Sequence, residues 1–118
     1  MEEINLDLQS RVPIYEQIVT SIERYVALGI LKANQPILSI RELGIKLGIN
    51  PNTVKKAYSE LENKGVIYAI STKGYYISEE IHDIIYRKKQ EGINEINKIV
   101  SELYKLGISK DEIIKSIK

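Results

Sequence analysis

Between Asn50 and Lys56 the chain reads Asn-Pro-Asn-Thr-Val-Lys-Lys, a run of side chains suited to the edges and backbone of a DNA duplex. Asn50 and Asn52 can each pair bidentately with an adenine edge, Thr53 can offer its hydroxyl or its methyl, and Lys55 and Lys56 can reach guanine or phosphate. Arg41, upstream, suits the sugar-phosphate backbone or the groove beside it. Lys73 and the backbone of Gly74, downstream, suit the minor groove or phosphates. Each has a plainer alternative. Asn50 can simply cap a helix, Lys55 and Lys56 can form a solvated face, and Lys73 and Gly74 can be an ordinary loop. For Arg41 the alternative is a pair with Glu42, which adjacent helical positions disfavour because they point apart.

The elements that must hold these groups are legible in local signals. Pro13 at a first-turn position, Ile14, Ile18, Val19, Ile22 and Val26 at helical spacing, and Gly29 as terminator predict a helix over about 12–28. The loop ILKANQPIL leads to Ser39, which forms an S-x-x-E capping box with Glu42 and opens a short second helix ending at Gly48. Asn50 as N-cap and Pro51 at the first helical position start a third helix at once. It runs to Lys64, stops at Gly65, and buries Val54, Ala57, Tyr58 and Leu61. The period then changes: VIYAI and YYIS read as two strands around the tip Ser71-Thr72-Lys73-Gly74. Of Tyr68, Tyr75 and Tyr76 in this hairpin, alternate ones should pack and the others face solvent. Helix, tight turn, helix and hairpin together predict a winged helix-turn-helix, whose second helix enters the major groove.

Composition agrees with that reading once charge is partitioned. The 118 residues carry a formal net charge of only +1. Residues 36–76, however, hold six basic side chains against three acidic ones, leaving −2 for the remainder, so positive charge gathers where the groove-reading geometry is. So modest an excess predicts useful affinity only when the module is duplicated. With 43% hydrophobic and 28% charged residues the chain reads as an ordinary globular protein. It lacks cysteine, an apolar run long enough for a membrane span and a signal-peptide pattern at its start, so a cytoplasmic location is expected. No nucleophile triad, phosphate-binding glycine loop or carboxylate pair suggests an enzyme, and no cofactor is implied.

From Ser78 the helical period returns, with Ile81, Ile84, Ile85, Ile93, Ile96, Val100, Leu103 and Leu106 on one side. Gly92 predicts a bend or a junction of two helices, since glycine lowers helix propensity by about 1 kcal/mol relative to alanine. Gly107 ends this stretch, and Ser109 with Glu112 predicts a second capping box. The stripe exceeds what the winged domain can cover. Ile84, Ile85, Ile93, Ile96, Val100 and Leu103 are therefore the candidate dimerisation face, against the alternative of packing on the same chain. His82 with Glu79, Asp83 and Tyr86 could hold a metal, but one histidine without a second or a cysteine is thin support, and no metal site is assigned.

PIYEQIVTSIERYVALGIL, SIRELGIKLGINPNTVKKAYSELENKGVI and TKGYYI together resemble the GntR family of bacterial transcription regulators over about Pro13 to Ile77. The short helical tail resembles the reduced C-terminal region of the YtrA-like subgroup. The resemblance implies a homodimer that binds operator DNA, usually repressing, with contacts on Arg41, Asn50, Asn52, Thr53, Lys55, Lys56 and the wing. Two departures stand out: Ala33-Asn34 and Leu38 replace the family's proline-glycine and proline before the motif, and Ile70-Ser71-Thr72 replaces wing arginines and a glycine. The expectation is a mainly α fold with a small β-hairpin: a winged helix-turn-helix over 1–78 and a two-helix dimerisation tail over 79–118. The expected function is a homodimeric repressor on a palindromic operator near a transport operon, with a small-molecule effector left open and no membrane partner. The competing classes are a winged-helix module that docks on protein, and a ligand- or metal-gated regulator.

Overall fold

A computed structural model describes residues 3–118. Its elements run α1 (Ile14–Ala27), β1 (Pro36–Ile37), α2 (Ile40–Leu47), α3 (Pro51–Asn63), β2 (Ile67–Ile70), β3 (Gly74–Ile77), α4 (Ile81–Lys105) and α5 (Lys110–Ser116). The chain divides into two compact units, 1–84 and 85–118.

In the first unit α3 packs against both α1 and α2, burying the four residues expected from its spacing, Val54, Ala57, Tyr58 and Leu61. They meet Ile18, Val19, Ile22 and Val26 of α1 and Leu43 of α2 in one apolar core that also takes in Ile77 and Ile81. Pro13 is the N-cap of α1 rather than its first helical residue, and makes no side-chain cap bond. Gln17 ties the preceding segment down: its Nε2 donates to the carbonyls of Asp7 and Val12 at 3.0 and 2.9 Å, and its Oε1 accepts from the Asp7 amide at 2.8 Å. Ile4, in that segment, is buried.

The hairpin is one strand short of the sheet that forms. The order is β1-β3-β2, all antiparallel, with Pro36 opposite Tyr76 and Ile37 opposite Tyr75. The stretch expected to be loop becomes an edge strand because β3 supplies its partners: the Asn34 amide donates to the Ile77 carbonyl at 2.8 Å, and the Ile77 amide to that of Gln35 at 2.9 Å. Pro36 fits such an edge, having no amide proton to leave unpaired. β2 is one residue shorter than VIYAI, and β3 is as long as YYIS but begins one residue earlier, at Gly74. Gly74 pairs with Ile70, which leaves Ser71, Thr72 and Lys73 as the tip. Thr72 sits at φ +100°, a left-handed conformation that β-branched residues seldom adopt.

Alternation sorts the tyrosines by face. Tyr75 turns inward and meets Tyr58 edge-to-face at 4.9 Å, whereas Tyr68 and Tyr76 stack across the other face at 5.6 Å. Tyr68 also donates to Asn34 Oδ1 at 3.0 Å.

In the second unit α4 continues through Gly92 without the interruption that glycine suggested; one residue's propensity is small beside the hydrogen-bonded turns on either side. Leu106 lies past the end of α4, in the turn closed by Gly107 at φ +84°. At α5 the Ser109 hydroxyl accepts from the Glu112 amide and donates to the Glu112 carboxylate, both at 3.2 Å.

Candidate nucleic-acid interface

The α2 to α3 connection is built from three adjoining devices. At the start of α2 the capping box is complete: the Glu42 amide donates to Ser39 Oγ, and the Ser39 amide to Glu42 Oε1, each at 3.1 Å. These bonds hold the Glu42 carboxyl below its ordinary range, and the carboxylate is thereby directed to Ser39 instead of to Arg41. At the far end Gly48 closes α2 at φ +67°. Gly44 lets the turn come close, since a Cβ there would stand 3.2 Å from the Ile49 carbonyl oxygen. Asn50 then caps α3, its Oδ1 accepting from the Asn52 amide at 2.8 Å, with Pro51 as the first helical residue.

These caps point the first turn of α3 outward. Asn50, Pro51, Asn52, Lys55 and Lys56 are exposed and Thr53 is half-buried. Because the side-chain oxygen of Asn50 is engaged in the cap, the Asn52 side-chain carboxamide is the uncommitted one of the pair. At about 100° per residue, Asn52 lies opposite the buried stripe, with Ser59 and Asn63 along the same crest. Lys55 and Lys56 diverge to either side of that crest. Lys55 shares its flank with Glu62, whose charge, second to burial, raises the Tyr75 phenol, so this flank faces the sheet. Lys56 takes the flank toward α1, where its Nζ stands 4.1 Å from the centre of the Tyr15 ring.

Arg41 is exposed at the start of α2, and Lys73 at the wing tip. Neither of these cations, nor Lys55, has an ion-pair partner among the described residues, whereas Lys46 pairs with Glu3 at 3.7 Å and Lys64 with Glu23 at 3.6 Å. Exposed cations without an ion-pair partner can bind polyanion backbone without first giving up an internal partner. Gly74, half-buried at φ +102°, turns the wing back into β3.

Residues 14–77 match the family described as bacterial regulatory proteins, gntR family. The chain belongs to that family. It is therefore a DNA-binding transcription regulator and not an enzyme. The HTH-type transcriptional repressor YtrA of Bacillus subtilis is 34% identical over 116 residues, covering 98% of this chain and 89% of that protein. Among solved structures, a transcriptional regulator from Oenococcus oeni superposes with a TM-score of 0.74 at 34% identity, over 93% of this chain and 92% of its own. YtrA from Sulfolobus acidocaldarius, a GntR-family transcription factor, does so with a TM-score of 0.62 at 37% identity, over 95% and 90%. The likeness to YtrA-type members thus extends through the tail as well as the winged unit.

Tyr15, Ser59 and Asn63 were not among the residues singled out from the sequence. The seven- and eleven-residue spacing from Asn52 marks Ser59 and Asn63 as sharing its crest; nothing local marks Tyr15. In the second unit Ile85, Ile93, Ile96, Val100 and Leu103 fall within about 80° of one another around α4. Ile96 is 60% exposed and Ile99, absent from the expected stripe, is 51% exposed. Ile84 belongs to the first unit, where its side chain lies beside Gly65. Among the described residues no group of three or more His, Asp or Glu side chains can hold a metal, and no helix is long and apolar enough to cross a membrane.

Proposed function

We propose that this chain acts in the cytoplasm as a homodimeric repressor that occludes a palindromic operator, inserting the start of α3 into the major groove of each half-site. The observation that carries this reading is the exposed first turn of α3, together with the unpaired cations Arg41 at the start of α2, Lys55 on α3 and Lys73 at the wing tip. Asn52, Thr53 and Lys55 are the proposed readers of base edges, with Asn50 contributing as far as its cap allows. Arg41, Lys56, Lys73 and the Gly74 backbone are proposed to hold phosphates.

A local charge of +3 gives little affinity to one module, so pairing is central to the mechanism. The exposed apolar side of α4 supports a second copy as its cover: Ile93, Ile96 and Ile99 stand about half exposed in a unit with no fully buried residue of its own. Recognition helices one DNA turn apart, about 34 to 36 Å, would select half-sites with that period and raise the effective concentration of the second contact. A target near a transport operon is part of the same proposal and rests on the resemblance to the YtrA-like subgroup.

Selection of bound duplexes from a random pool, followed by titration of the winner against salt, tests the proposal. An inverted repeat bound by two chains, with affinity falling steeply as salt rises, is the expected result. Failure to enrich any duplex, or a flat salt response, would overturn it.

A further inference from the structure

Lys55 and Lys56 are adjacent and identical in chemistry, yet their surroundings differ. The Lys55 ammonium has no partner among the described residues, whereas the Lys56 ammonium lies on the Tyr15 ring, 4.1 Å from its centre. Tyr15 is in the first turn of α1 and half-buried, and its hydroxyl donates to Glu16 Oε1 at 3.2 Å, which fixes the ring from the far edge. Lys56, Glu60 and Lys64 follow one another at four-residue spacing along the α1-facing flank of α3, and Lys64 completes the row with its bond to Glu23 of α1.

The kind of partner matters. A carboxylate under Lys56 would cancel the charge a phosphate needs and would have to be displaced. An aromatic face attracts the ammonium through its quadrupole without neutralising it, and although Glu16 and Glu60 act on the Tyr15 phenol, neither forms an ion pair with Lys56 among the described residues. The ring also removes part of the rotamer freedom that a long lysine would otherwise lose on binding. Lys55, held by nothing, keeps the freedom to adapt to a base edge.

We propose that Tyr15 is a positioning residue for DNA binding: it holds the Lys56 ammonium at the α1–α3 seam as a preset phosphate contact, and so divides the lysine pair into a fixed backbone anchor, Lys56, and an adaptable reader, Lys55. This rests on the DNA-binding role proposed for α3.

The test uses the full chain and the duplex it selects, with affinity measured across salt concentrations for Tyr15→Leu, Tyr15→Phe, Lys56→Ala and Tyr15→Leu/Lys56→Ala. Lys56→Ala is expected to weaken selected and mismatched duplexes by the same factor and to reduce the salt slope by about 1. Tyr15→Leu should weaken both duplexes by about two- to fivefold, Tyr15→Phe should stay within about twofold of the parent, and the double variant should bind no more weakly than Lys56→Ala. Multiplying effects in the double variant, or an unaltered Tyr15→Leu beside a weakened Lys56→Ala, would overturn the positioning role alone. An unaltered Lys56→Ala would overturn the contact on which it rests. Proton NMR of the free parent protein provides a check that needs no variant to fold: the Lys56 Hε resonances should be shifted upfield by the ring, and unshifted resonances would overturn the proposal.

Discussion

The Tyr58 hydroxyl donates to the carbonyl oxygen of Leu38 at 2.6 Å, tying the middle of α3 to the residue just before the cap of α2. Tyr58 is fully buried, and its ring meets Tyr75 of β3 edge-to-face. One side chain therefore touches the start of α2, the body of α3 and the wing strand, the three pieces whose mutual angle decides whether Arg41, Asn52 and Lys73 can reach one duplex together.

Tyr58→Phe keeps the ring and removes the donor, leaving the Leu38 carbonyl without its partner. A loss of about 1 to 2 kcal/mol is expected in urea unfolding, because an orphaned polar group loses more than the bond itself is worth. Alkaline pH gives a second readout. Burial foremost, then the nearby Tyr75 and Glu42, holds the Tyr58 phenol above its ordinary value of 10.0. Its contribution to stability is complete below that value and is lost as pH rises through the higher folded-state value. Unfolding midpoints of the parent should fall more steeply than those of Tyr58→Phe above pH 10; parallel profiles would contradict this account.

The capping box makes the opposite prediction at acid pH. Removing the hydroxyl in Ser39→Ala should cost about 1 kcal/mol. The Glu42 carboxyl is held below its ordinary value of 4.5 by its bonds to Ser39, so its contribution is present above that value and is lost as pH falls through the lower folded-state value. The stability gap between the parent and Glu42→Gln should be open at neutral pH and closed in strong acid, as followed by thermal melts across the range. A gap that persists in acid would point to packing, not the charged cap.

What could be read from the sequence is what local chemistry determines. The limits of α2 and α3 follow from Ser39, Glu42, Gly48, Asn50 and Pro51, each acting on backbone within a turn of itself, and the buried stripe of α3 follows from its period. What stayed hidden depends on distant partners. Pro36–Ile37 is a strand only because β3 lies beside it, and Thr72 takes a left-handed φ because the hairpin closes in three residues. The difference between Lys55 and Lys56 is of the same kind, since it comes from a ring on another helix.

The proposed pairing surface can be separated from the DNA-reading unit by one charge. Ile96→Glu places a carboxylate on the exposed side of α4 at a position 60% open to solvent, so the isolated chain should lose little stability. Sedimentation should show monomer at concentrations where the parent is dimeric, and operator affinity should fall by about tenfold or more as the linked second contact is lost. Should the parent itself sediment as a monomer, or the variant remain paired, this face of α4 is not the interface.

The wing and the recognition helix can be told apart by what their loss does to specificity. Lys73 is exposed on the hairpin tip beside Thr72 at φ +100°, not on the crest of α3, and its ammonium has no ion-pair partner among the described residues, so it is the proposed phosphate contact. Lys73→Ala should weaken all duplexes alike and lower the salt slope by about 1, leaving the ranking of sequences intact. Lys55→Ala removes a side chain beside the crest proposed to enter the groove, so it should cost about 1 to 3 kcal/mol on the selected operator and relax preference at one base pair per half-site. Thr72→Gly relieves the left-handed strain and should raise stability by about 1 kcal/mol, yet loosen the tip that presents Lys73. A competition assay on single-position operator variants distinguishes these outcomes. If Lys73→Ala changes the ranking while Lys55→Ala leaves it alone, the wing is the reader and α3 the anchor, the reverse of the division of labour proposed for this interface.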